Sequence, residues 1–208
     1  MDFDAGDAPP SLWRGHRARL RPVEPDDWPL FHAWGRDDAV SRLAESIPFP
    51  ESPEAVRRWT EETATRAPHN DRFRWLILDT AANDEPAGTI NTHSADRRVG
   101  AFSYGIALTP AAQGRGLASE AIRLVLRYYF AELGYQKANV HVYDFNEPSR
   151  LLHERLGFVR EGRLRRMTYT AGRHWDVLAY GITREEFDAE QADKLPAFPA
   201  PNATPSAR

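Results

Sequence analysis

The run Thr109-Pro-Ala-Ala-Gln-Gly-Arg-Gly-Leu-Ala-Ser119 constrains the fold more than any other stretch of this sequence. Before it, Ala101-Phe-Ser-Tyr-Gly-Ile-Ala-Leu108 is an apolar and aromatic run that reads as a strand. After it, Leu117, Ala121, Leu124, Val125 and Tyr128 recur at helical spacing. Pro110 ends the strand, and Gly114 and Gly116 admit backbone angles that side chains forbid. Strand, glycine turn and helix N-terminus therefore meet at one point, where free amide N–H groups and the positive end of the helix dipole gather. Such a point suits a phosphate, and Arg115 can add a cation.

The rest of the chain supplies the frame. Residues 1–15, with Gly6, Pro9 and Pro10, read as a flexible lead-in to one domain over 16–190, and the Pro/Ala-rich stretch 191–208 reads as a disordered tail. Residues 17–23 alternate as a first strand, near an edge because of Pro22. Pro25-Asp-Asp27 opens a helix through Trp34, with acids in its first turn. Residues 40–53, centred on Ile47-Pro-Phe-Pro50, read as a loop. Ser52, Pro53 and Glu54 then begin a helix to about residue 66 that would bury Val56 and Trp59. Trp28, Trp34, Phe49 and Trp59 share this region, as core or as the wall of a substrate pocket. The loop residue Phe49 best fits the second role.

Residues 72–79, 87–93 and 99–108 are three strands with short turns, an antiparallel meander. The helix after the glycine turn runs over 116–133, with Gly134 just past its end. Residues 137–143 form a strand, most simply parallel to the strand before the helix. A short helix to Arg155 follows, then a hairpin over 158–169 and 174–182 turning at Ala171-Gly172. Thr183 and Glu186 make a capping box for a last helix.

Composition excludes several chemistries. The sequence has no cysteine, which rules out disulfides, thiolate metal sites and a cysteine acyl-enzyme. The histidines are scattered without ligand spacing, so no metal is expected. A net charge of −3 gives no reason to expect nucleic acid as a partner. No apolar run approaches membrane-spanning length, and the start Met1-Asp-Phe-Asp is unlike a signal peptide, so no membrane association and a cytoplasmic location are expected. A dinucleotide site is the main rival for the glycine turn, with Asp144 after the next strand. It requires a parallel βαβ array where this chain has a meander. A Gly-Lys-Ser/Thr phosphate loop is absent.

The chain resembles the GNAT superfamily of N-acetyltransferases, and within it the ribosomal-protein alanine acetyltransferase-like branch. Gln113-Gly-Arg-Gly-Leu-Ala118 matches the family's acyl-CoA pyrophosphate motif. Asn146-Glu-Pro-Ser149, with Leu152-His-Glu-Arg-Leu-Gly-Phe158 and Glu161-Gly162, matches its second motif, and Trp175-Asp-Val-Leu-Ala-Tyr-Gly181 its closing strand. The resemblance covers about residues 16–188. It implies an α/β (α+β) fold whose mostly antiparallel mixed sheet is flanked by helices and has one parallel pair splayed at a bulge. It also implies acetyl-CoA as cofactor, with the pyrophosphate on Gln113, Gly114, Arg115, Gly116, Leu117, Ala118 and Ser119. The pantetheine arm would pair with the strand at Ile106 and Leu108, and Asn146 and Ser149 would add contacts.

An amine must be neutral to attack the thioester, and the departing thiolate needs a proton. Without cysteine, the expected route is direct transfer to a primary amine in a ternary complex, with an amide near Ile106 or Ala107 stabilising the oxyanion. Many family members carry a tyrosine five residues before the Phe of Leu-Gly-Phe; here that residue is His153. His153, Ser149 or solvent could donate the proton. Glu161 resembles a family position near the acceptor and is a candidate base. Asn91, His93 and Tyr104 are expected around the acceptor, which is a protein N-terminus or a small-molecule amine. A monomer or homodimer is expected. The alternative from another class is a non-catalytic acyl-CoA-binding module.

Overall fold

Seven strands form one sheet in the computed structural model, which describes residues 11–44 and 46–197. They are β1 (Ala18–Pro22), β2 (Arg74–Asp79), β3 (Glu85–Asp96), β4 (Ala101–Leu108), β5 (Lys137–Tyr143), β6 (Val159–Thr170) and β7 (Arg173–Thr183). Their spatial order is β1-β2-β3-β4-β5-β7-β6, antiparallel throughout except between β4 and β5. That pair is joined through the helix α4 (Leu117–Arg127), the crossover that parallel neighbours require. The meander lies where alternation of side chains places it, and the parallel strand where the helical crossover does.

The parallel pair is short. It holds at Ala101–Lys137, Phe102–Ala138 and Ser103–Asn139, and then the strands part. Beyond Ser103, β4 stays bound to β3 as far as Leu108, while β5 stays bound to β7 as far as Tyr143. The register breaks of β3 lie between His93 and Asp96 and against β2, outside the separated stretch. The splay is thus made by two strands held to different partners, without the bulge expected there.

Strand alternation decides which backbone groups face the gap. Thr109 N–H donates to Ala87 C=O at 2.9 Å on the β3 side, whereas Gly100 C=O accepts from Lys137 N–H at 3.1 Å on the β5 side. By alternation Gly105 and Ala107 bond towards β3, and Ile106 and Leu108 direct their N–H and C=O groups towards the gap.

Helices cover both faces. Against one lie α1 (Trp28–Trp34) and α3 (Pro53–Thr65), where Val23, Leu76 and Leu78 pack with Phe31, Trp34 and Ala64. Against the other lie α4, α5 (Glu147–Arg155) and α6 (Arg184–Glu190). There Phe102 stacks on Tyr129 at 4.0 Å and Phe130 meets Phe187 at 5.6 Å. Burying one such aromatic side chain stabilises the fold by roughly 1.5–3 kcal/mol.

Several local expectations are corrected. Residues Asp38–Ala44 form a helix, α2, which runs into the expected loop 40–53. Its end is held from outside, by Asn146 Nδ2 donating to Leu43 C=O at 3.0 Å. The helix after the glycine turn leaves α geometry at Arg127 and continues as a π-type turn over Tyr128–Glu132. The wider turn accompanies Tyr129 and Tyr135 hydroxyls that both reach Asp71, a tertiary demand that helical spacing does not encode. Trp59 is partly exposed, because its ring lies beneath the Arg74 guanidinium and not in the core.

Both ends of the expected domain extend further than their composition suggests. Trp13 packs on Trp75 and Tyr128, and Leu195 is buried beside α4, whose Arg127 donates to Pro196 C=O and Leu12 C=O. The remainder of the expected lead-in and tail, 1–10 and 198–208, lies outside the described residues.

One buried carboxylate ties the first strand to α4. Glu120 accepts the backbone N–H groups of His16, Arg17 and Ala18 at 2.9, 2.6 and 2.5 Å. Gly15 makes room for it: a Cβ there would collide with the Glu120 carboxyl group.

Candidate active site

The glycine turn is built for a close approach from outside. Gly114 and Gly116 sit at φ 73° and 83°, the left-handed region that favours glycine, and a Cβ on Gly114 would meet no atom within 4 Å. Gly116 is the N-cap residue of α4, with no side chain capping the helix. The first helical bond is Glu120 N–H to Gly116 C=O at 3.2 Å, so the N–H groups of Leu117, Ala118 and Ser119 precede it. The Leu117 side chain is buried core, which leaves its amide for any ligand.

Two arginines attend this turn, in roles the sequence does not reveal. Arg115 is bound to buried Asp79 of β2 at 2.5 Å, so its charge is matched and it anchors the turn to the sheet. The cation expected at Arg115 is thus already paired within the chain. Arg17 instead brings its guanidinium beside Gly116, donating to Arg115 C=O at 3.3 Å, with Nη1 3.4 Å from where a Gly116 Cβ would stand. Gln113 Nε2 reaches Leu108 C=O at 3.5 Å and joins the turn to the free edge of β4.

Across the gap, Asn146 caps α5 by accepting Ser149 N–H at 3.1 Å while holding Leu43. Ser149 Oγ lies 3.4 Å from His153 Nδ1, but that nitrogen makes its shorter contact, 2.7 Å, with Ser149 C=O. A carbonyl can only accept, so Nδ1 carries the proton and Nε2 is a bare acceptor. The ring is 1% exposed, packed against Phe158 and Tyr104, and burial lowers its pKa from 6.5 to about 4. His153 is therefore neutral at pH 7 with its one N–H held by the backbone. As placed, it has no proton to give to a leaving group.

This burial has a measurable cost in acid. The unfolded chain takes up the proton first as pH falls, so the stability due to neutral His153 is fully present above 6.5 and lost as pH falls towards 4. The interval corresponds to about 3 kcal/mol. Urea unfolding at pH 7 and 4.5 should show about 2–3 kcal/mol more acid loss in the native chain than in a His153→Gln variant. Equal losses would refute the assignment.

Glu161 is corrected outright. It is bound to Lys137 at 2.6 Å, at the first residue of β5, and β6 is the outer strand of the sheet. The Glu161 backbone is level with Val140 and His141, and β7 and β5 stand between it and the gap that opens beyond Asn139. Glu161 is no base for chemistry at the free edge of β4.

On the sheet face of α1 and α3, a cavity of about 270 Å³ backs onto Ala107, Leu108 and Thr109, the end of β4. Phe31, Trp34, Val40, Val56 and Trp59 form apolar walls, Thr89 forms part of the floor, and Glu51 is the charged residue among those lining it. Phe49 is not part of this wall: it is 92% exposed and borders a neighbouring depression. Asn91 and His93 share the cavity's face of β3 but lie outside its lining. His93 is exposed, with Nδ1 3.1 Å from Ser94 Oγ. Tyr104 points to the opposite face, 3% exposed, against His153 and Phe158, and burial pushes its hydroxyl pKa well above 10.

A glycine turn before an uncapped helix, beside a strand edge freed by splaying, offers amides to a phosphate and an open edge to a peptide-like arm. The chain belongs to the GNAT acetyltransferase family, whose acetyltransferase (GNAT) domain model matches residues 17–159. The SPbeta prophage-derived uncharacterized N-acetyltransferase YokL of Bacillus subtilis (strain 168) is 40% identical over 178 residues, which are 86% of this chain and 96% of that protein. A solved acetyltransferase structure from T. thermophilus is 28% identical with TM-score 0.72, over 90% of this chain and 96% of that one. The spermidine N-acetyltransferase of Vibrio cholerae, solved with CoA and spermine, shares the fold at TM-score 0.71 and 23% identity, over 82% of this chain and 98% of that one. The chain is thus an N-acetyltransferase of this family, whose members use acetyl-CoA.

Proposed function

We propose that the chain transfers acetyl to a primary amine held in the cavity behind β4, by direct attack in a ternary complex. The observation that carries this reading is the meeting of two features at one short segment. The cavity ends on Ala107–Thr109, and the same strand turns the N–H and C=O groups of Ile106 and Leu108 into the splayed gap.

Acetyl-CoA supplies an activated acetyl thioester. The amides of residues 117–119, with Gly114, Gly116 and Arg17 beside them, suit its pyrophosphate, and the Ile106 and Leu108 edge suits its peptide-like arm. In the reaction the amine nitrogen bonds to the acetyl carbon and the thioester C–S bond breaks. Of the two protons that an ammonium must lose, one goes to solvent and one ends on the leaving sulfur. Ile106 N–H is the strand amide able to steady the developing negative charge, because Ala107 N–H is directed to β3. Ser149 or water gives the sulfur its proton, since His153 has its N–H engaged. A protein N-terminus, the acceptor of the ribosomal-protein alanine branch, would enter the same cavity by its first residue.

Calorimetry with CoA and a thiol-release assay over an amine panel test this together. Micromolar CoA binding with turnover on at least one primary amine is expected. CoA binding with no amine accepted would sink the catalytic reading.

A further inference from the structure

The walls of the acceptor cavity carry information about what enters it. A polycation buried against protein is best held by carboxylates that match its charges. Among the described residues lining this cavity one is a carboxylate, Glu51, which is itself exposed. Behind the wall stands a charge of the other sign. Arg74 places its guanidinium 5.5 Å from the Trp59 ring centre and donates to Thr89 Oγ1 at 3.4 Å, and both residues line the cavity. Among the described residues no carboxylate lies within ion-pair reach of Arg74, and burial lowers its pKa. Phe31, Trp34, Val40 and Val56 add apolar walls, and Ser41 and Thr109 add neutral hydroxyls.

We propose that the cavity selects a primary amine carried on a compact aromatic or apolar body with no second positive charge, and that it disfavours polyamines. The inference rests on the reading of this cavity as the acceptor site. A volume of about 270 Å³ holds a single ring with a short aminoalkyl chain, at the small end of ligand pockets. The selection also serves the chemistry. Aromatic walls desolvate the bound ammonium, and the unmatched Arg74 repels its charge; both favour the neutral, attacking form. The acceptor can therefore lose its proton without a dedicated base beside it, consistent with the absence of Glu161 from the site.

The test compares 2-phenylethylamine with spermidine on the full chain. Thiol release should give kcat/KM about 100-fold higher for 2-phenylethylamine, the discrimination that an apolar pocket can supply. Binding is read separately, without acetyl-CoA turnover, by tryptophan fluorescence: 2-phenylethylamine should quench it and spermidine should not. Arg74→Glu should lower the kcat/KM ratio by about 10-fold or more, by admitting the polycation. Trp34→Ala should lower it by a similar factor through lost packing, and serves if the Arg74 variant does not fold. Equal or better turnover of spermidine would overturn the proposal while upholding the acceptor site. Quenching by 2-phenylethylamine with no acetyl transfer to any amine would instead overturn the catalytic reading and uphold the cavity's preference.

Discussion

A Gly116→Val variant is expected to remain folded and to lose CoA affinity by about 100-fold or more. Gly116 holds φ 83°, and forcing an L-residue there costs roughly 1–2 kcal/mol. That is small against the roughly 5–15 kcal/mol stability of ordinary domains. The added group would also press on Arg17, whose Nη1 lies 3.4 Å from the Cβ position. Its larger effect is on the ligand, because a branched side chain would stand at the N-terminus of α4, before the amides of Leu117, Ala118 and Ser119. Losing two charge-assisted hydrogen bonds, at about 1.5 kcal/mol each or more, accounts for about 100-fold. Calorimetry with CoA, beside a circular-dichroism check of folding, decides the matter. A folded variant with native affinity would remove the pyrophosphate from this turn. Gly114→Ala is the milder companion: its φ of 73° adds strain, but its Cβ meets open space.

Glu120→Ala should be strongly destabilising. The carboxylate accepts three backbone N–H groups at the start of β1, and its removal leaves all three without that partner. Orphaned donors cost roughly 1–3 kcal/mol each, offset in part because a buried charge no longer has to be desolvated. A net loss of about 3 kcal/mol corresponds to a fall in Tm of about 6–12 °C for a chain of this size. Thermal unfolding at neutral pH measures it. A fall under about 2 °C would show that the three contacts contribute little.

The legibility of the chain followed the range of the interactions. Elements defined by neighbours in sequence were readable: β5 at Lys137–Tyr143 from alternation, the Thr183–Glu186 capping box, and the Asn146 cap of α5. The parallel pair followed from the crossover alone. What stayed hidden was set by distant partners. Helix α2 sits in a proline-rich region and is held at its end by Asn146, over a hundred positions away. Glu120 reads as an ordinary first-turn acid until β1 is laid across it. Arg115, the cation suggested by sequence order, is paired with Asp79 of β2, while Arg17, which has no visible role at the turn in sequence, stands beside Gly116. Motif position suggested Glu161 as a base, yet its location depends on a β6–β7–β5 arrangement that no local pattern announces. The acceptor cavity was visible only as a region rich in tryptophan, and its most exposed aromatic, Phe49, proved less informative than Trp34 and Trp59.

The three-rung join between β4 and β5 has a mechanical consequence. The sheet consists of two plates, β1 to β4 and β5 to β6, riveted along one short seam at Ala101–Ser103 and Lys137–Asn139. The width of the gap is the opening of that wedge, so small changes at the rivet are magnified towards Leu108 and Tyr143. Ala138 is fully buried opposite Phe102, within the seam. A bulkier residue there would act as a shim, changing cofactor affinity by resetting the angle between the plates.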